Sequence, residues 1–185
     1  MEEWMIKQKT PSLSHSLTDI YKHLLPQNYS LHYAPASPQA PADILAYLKK
    51  KADDFKLHNL TFKIYPYTAR GFIEITRDYS AFLKIKKPFL KFMAYSCKEE
   101  CRRLGLSEEE IKLLHGGFIP ENINIHLKIP FDFGGQAVFE NMSLMRTHPH
   151  HLFLHRLIEC QFELGLLKKE KQLFIPCFEG HIYYG

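Results

Sequence analysis

Apolar residues first settle into a clear period between residues 42 and 57, where Ile44, Leu45, Leu48 and Phe55 recur at helical spacing. Lysines occupy the other face and Asp43 falls in the first turn, which predicts an amphipathic helix. The pattern then changes. Residues 61–67 and 71–76 are rich in β-branched and aromatic side chains on either side of the short segment 68–70, and predict a β-hairpin. A long helical pattern follows over 79–104, with Pro88 expected to kink or divide it, because proline lacks an N–H and crowds the preceding turn. Ser107 ahead of Glu108, Glu109 and Glu110 has the form of an N-cap with an acidic first turn, and Gly116 with Gly117 stops the short helix that it opens. Beyond Pro120, residues 123–130 read as strand, 131–139 as a glycine-containing loop and 141–145 as a second short strand. Residues 151–164 read as helix, with Pro149 at or just before its first turn, where proline is tolerated. The tail, 172–184, has two short extended pieces around Pro176 and Gly180. At the other end, the prolines and Ser/Thr of residues 1–41 predict an extended connector, clearest over 34–41, preceded by a short helix over 16–25. Together these elements predict an α+β fold in three parts: a proline-containing segment (1–41), a helix–hairpin–helix region of unassigned role (42–106) and a strand–strand–helix unit (107–185).

Composition narrows the function classes only a little. A chain of 185 residues with 45% hydrophobic content can bury a sizeable core. The net charge of +4 permits a polyanionic partner without demanding one. Lys84, Lys86 and Lys87, with Lys91 and Lys98, read as a solvated helix face. The four cysteines, Cys97, Cys101, Cys160 and Cys177, form neither a C-x-x-C pair nor a dense framework, so free and mostly buried thiols are expected. No run approaches the ~20 apolar residues of a membrane span. The acidic start at Glu2 and Glu3 lacks the basic region and apolar run of a cleaved signal peptide. A cytoplasmic location, or export by a route without such a signal, is the expectation.

The chemistry concentrates in histidines. His151 and His155 stand four apart on the predicted helix and share a face, while His126 lies on the first strand of the preceding pair. Three imidazoles so placed can hold one divalent metal ion and leave positions open for water or a phosphate oxygen. Zn, Ni, Mg and Mn all remain open, nitrogen donors favouring the first two and nuclease chemistry admitting the others. Lys128, Arg146 and Arg156 are candidate phosphate contacts, with ordinary surface charge as the other reading. Glu159, one turn beyond His155, is either an acceptor that orients that histidine or an exposed glutamate.

The run IHLKIPFDFGG at 125–135, followed by FENMSLM at 139–145 and HLFLH at 151–155, resembles the HNH, or ββα-metal, nuclease domains of bacterial toxins, the colicin DNases among them. The resemblance covers about 107–184. It implies that His126 is the strand metal ligand, that His151 and His155 are the helix ligands, that Gly134 and Gly135 form the turn, and that Asn141 ties the loop. It also implies a nucleic-acid substrate. In that family a second histidine directly after the strand ligand serves as general base; here the position is Leu127. The acidic residue of the colicin branch, two before the strand ligand, is Asn124. His148 and His150 are alternative bases at the mouth of the helix, and a one-residue shift that made His126 the base is a further alternative. Two functions follow as expectations: a toxin- or effector-type metal-dependent nuclease with impaired or altered activity, or an inactive relative with a structural metal that binds a protein partner.

Overall fold

A computed structural model describes residues 41–66, 70–163 and 172–185. The helix expected over 16–25 and most of the 34–41 connector lie outside the described residues.

The fold is α+β. Helix α1 (Pro41–Asp54) buries Ile44, Leu48 and Ala52 along one stripe, as its period requires. Strand β1 (Thr61–Pro66) follows, but it is not half of a local hairpin. Residues 72–76 instead open α2 (Phe72–Ser96), and β1 pairs antiparallel with the tail strand β4 (Gln172–Cys177), Thr61 opposite Cys177 and Pro66 opposite Gln172. The correction has a local cause. The Glu74 carboxylate accepts the Gly71 N–H at 3.0 Å, Arg70 pairs with Asp78 two turns along, and Phe72 and Ile73 are left 63% and 82% exposed. The alternation of apolar residues there marked no buried strand face.

Helix α2 also runs through Pro88 without dividing, since Pro88 faces solvent and the carbonyl it leaves unpaired can tilt outward. The break falls at Cys97, after which a short α3 (Lys98–Arg103) leads to α4 (Glu108–Gly116). That helix is capped as its sequence indicates: Ser107 Oγ accepts from the Glu110 N–H at 3.2 Å, and Gly117 closes the C-terminus in the left-handed region at φ 80°.

The second sheet is the antiparallel pair β2 (Ile123–Leu127) and β3 (Met142–Arg146), with His126 opposite Ser143 and Leu127 opposite Met142. Their alternation assigns the two faces. Ile123, Ile125, Met142 and Leu144 join Phe89, Leu90, Met93 and Ala94 of α2 and Ile111 and Leu114 of α4 in the main core. His126, Ser143 and Met145 look the other way. A π-type turn (Thr147–His151) then leads into α5 (Leu152–Glu163). Gln161 fastens α5 to β4, its amide bonding both the N–H and the C=O of Phe174 at 2.9 Å. Ile182 makes a parallel bridge to Leu144, so the tail crosses both sheets. No described helix is long and apolar enough to cross a membrane.

Candidate metal centre

Strand alternation places His126 on the face of β2 opposite the main core, and the i,i+4 spacing of His151 and His155 turns both rings toward it. The ring centroids lie 5.6 Å (His126–His151), 5.1 Å (His126–His155) and 4.5 Å (His151–His155) apart. The Nε2 atoms of His151 and His155 are 3.2 Å apart, and one ring nitrogen from each of the three falls within 4.8 Å of the others. Four ligands at about 2.1 Å around zinc sit roughly 3.4 Å from one another. The His151–His155 pair is therefore already close to the separation that two ligands of one ion require, with His126 within 4.8 Å of both.

Burial governs the electrostatics. His126 is fully inaccessible and neither of its ring nitrogens has a hydrogen-bond partner. Loss of water lowers its pKa well below the ordinary value, with the positive fields of His155, His151 and Lys128 adding to the effect. The same desolvation brings His151, 7% exposed, down to about 3, and His155 to about 4. All three are neutral at pH 7, the state in which imidazole offers a lone pair. No carboxylate or thiol joins the group among the described residues.

The loop that holds β2 and β3 in register is tied by Asn141. Its Oδ1 accepts the Ile129 N–H at 2.8 Å, and its Nδ2 donates to the carbonyls of Ile129 and Gln136, each at 2.9 Å. Gly134 caps the preceding 3-10 turn at φ 92°, and a Cβ on Gly135 would drive into the Ile129 carbonyl. Asn141→Leu removes three bonds and strands the part-buried N–H and C=O of Ile129. It should cost about 2–4 kcal/mol, read as a fall in the urea midpoint at unchanged slope.

The other residues singled out from sequence disperse. Lys128 lies on the His126 face, its Nζ donating to the Gly180 carbonyl at 2.7 Å and resting 5.6 Å from the Phe178 ring; burial lowers its pKa. Arg146 is on the opposite face and reaches the Leu104 carbonyl at 3.0 Å. Arg156 pairs with Glu159 at 3.3 Å, both half-buried. Leu127 packs against the main core. His148 is exposed with its ring 5.9 Å from Phe153, and His150 is turned to Tyr183 at 5.4 Å. The sequence reading missed Phe178, whose ring lies 6.4 Å from that of His126 and closes that side of the trio. It arrives from beyond β4, and nothing local to the histidine motif signals it. None of the four cysteines is in a disulfide; Cys101 and Cys160 are buried and Cys97 and Cys177 half-buried. Compared with known proteins, this chain matches no protein-family model, no curated protein and no solved structure.

Proposed function

We propose that β2, β3 and α5 form an HNH-like ββα-metal unit and that the chain is a metal-dependent nuclease of the toxin or effector kind, hydrolysing phosphodiesters slowly. One observation carries the reading: a fully buried imidazole, His126, with both nitrogens unpartnered, faces two further neutral imidazoles across a gap of ligand size. A buried polar group left without a partner costs about 1–3 kcal/mol. A cation held by His126, His151 and His155 relieves that cost for the strand histidine and accepts a lone pair from each of the others. Three neutral nitrogens without a carboxylate suit Zn²⁺ or Ni²⁺ better than Mg²⁺ or Mn²⁺. When bound, such an ion supplies Lewis acidity to a phosphate oxygen. The three rings fix its place, Phe178 limits water on one side, and the Lys128 ammonium contributes positive charge on the same face of β2.

The position of Leu127 supports a second reading, in which the ion is structural and the chain is a binding or adaptor module. Leucine accepts no proton, and this one is packed into the core on the far face of β2. Loss of a general base costs roughly 10²–10⁴ in rate. A plasmid-nicking assay on metal-stripped protein, supplied in turn with Zn²⁺, Ni²⁺, Mg²⁺ and Mn²⁺, separates the two. Slow nicking that disappears in His151→Ala is the expected result. Stoichiometric metal binding with no nicking under any ion would leave the adaptor reading standing.

A further inference from the structure

The outer face of α2 has no counterpart in the metal centre. Its inner face is spent on the core through Phe89, Leu90, Met93 and Ala94. Lys84, Lys87, Lys91 and Tyr95 follow one another at spacings of three and four, all exposed, and so line a single outward stripe about 16 Å long. Helix α4 and the turn after it run back along this stripe: Lys98 meets Glu108 at 3.1 Å, the Tyr95 ring lies 4.3 Å from His115, and Lys87 lies 6.0 Å from the Phe118 ring. Residues 79–98 and 111–120 together contain Lys84, Lys86, Lys87, Lys91, Lys98 and Lys112 and not one Asp or Glu. Among the described residues only Lys98 of these has a carboxylate partner. Large aromatic rings open to solvent flank the lysines, Tyr95 at 74% beyond Lys91 and Phe118 at 64% beside Lys87.

Like charges three and four apart on a helix repel, and a polyanion relieves the repulsion. Lysines set among accessible rings are what an unpaired nucleic-acid strand needs, since phosphates follow the charge and unstacked bases lie on the rings. A duplex hides its base faces. A lipid surface would call for exposed aliphatic side chains to insert, and those of α2, Ile73 at 82% and Leu83 at 53%, stand outside the stretch from Lys87 to Tyr95.

We infer that this α2–α4 face is a docking surface for single-stranded nucleic acid. It goes beyond the nuclease reading by naming an unpaired strand as the partner of this separate face. It lies across the β2–β3 sheet from the histidines, because α2 packs on the face that His126 does not use. Docking therefore needs no metal.

Fluorescence anisotropy on the full chain in EDTA tests it, using labelled oligothymidylate and oligouridylate of roughly 20 nucleotides and a duplex of the same length. Co-sedimentation with phosphatidylcholine–phosphatidylserine vesicles runs alongside. The single strands should bind, with affinity falling steeply in salt. Lys87→Glu with Lys91→Glu should weaken them at least tenfold and flatten the salt dependence, while Lys49→Glu with Lys50→Glu on α1, an equal change of charge, leaves them within about twofold. Tyr95→Ala with Phe118→Ala should cost the single strands roughly tenfold and leave the duplex unaffected. Thermal melts confirm that these surface variants fold. His126→Ala should bind as the parent does, and a parent chain that binds single strands but nicks with none of the four metals would sink the nuclease reading alone. Equal losses from both lysine pairs, indifference to the aromatic pair, binding to vesicles only, or no binding would each overturn the docking surface.

Discussion

Saturating Zn²⁺ or Ni²⁺ should raise the thermal midpoint of this protein by roughly 5–16 °C, and His126→Ala, His151→Ala and His155→Ala should each abolish the rise. The size follows from linkage. An ion at about 100–1,000 times its dissociation constant stabilises the folded state by roughly 2.7–4.1 kcal/mol. For a chain of this length each kcal/mol moves the midpoint by about 2–4 °C. The folded state binds preferentially because burial keeps the three imidazoles neutral and the backbone holds them together, whereas in the unfolded chain they are tens of residues apart or randomly oriented. His148→Ala is the matched control, an exposed imidazole on the turn that enters α5. Differential scanning fluorimetry on stripped protein is sufficient. A rise that survives His126→Ala would place the ion elsewhere and remove the basis of the ββα-metal reading.

The metal-free protein should be acid-labile over a window that the same histidines define. Desolvation, the first cause at each, depresses the folded-state pKa of His126 well below 6.5, of His151 to about 3 and of His155 to about 4. Unfolded, each takes up a proton as the pH drops below about 6.5. The unfolded state thus binds more protons between pH 6.5 and the folded values, so stability is fully present above 6.5 and is lost as the pH falls toward 4. Each site contributes up to about 1.4 kcal/mol per pH unit, and three together about 4. Against the 5–15 kcal/mol typical of a domain, that is enough to unfold the protein within a few units below neutrality. Urea midpoints measured from pH 8 to pH 5 should drop steeply below 6.5, and His126→Leu should remove about a third of the slope. A flat profile would show that the trio is solvated in the folded state.

The elements were readable wherever a signal acts within a few residues. Ser107 and Gly117 mark both ends of α4 because capping involves only the neighbouring turn, and the i,i+4 spacing of His151 and His155 puts them on one face of any helix. Asn141 and the Gly134–Gly135 turn are legible through a resemblance to known nuclease motifs; the bonds of Asn141 to Ile129 and the close approach of Gly135 to the Ile129 carbonyl supply the physical reason for them. Residues 71–76 misled, because β-branched and aromatic composition does not distinguish a strand from an exposed helical turn when Glu74 caps the helix and Asp78 draws in Arg70.

By itself, then, the sequence determined α1, α4 with its caps, α5, the alternating faces of β2 and the shared face of His151 and His155, since each depends on periods of two or on spacings of three and four along a continuous backbone. Tertiary structure alone decided that β1 takes β4 as partner, that Phe178 closes against His126, that Arg146 and Leu127 turn to the core side of the sheet, and that the lysines of α2 stand open beside Phe118. Those outcomes join residues that are often far apart in the chain. They follow from which apolar faces bury one another, a competition among all the elements at once that no local period records.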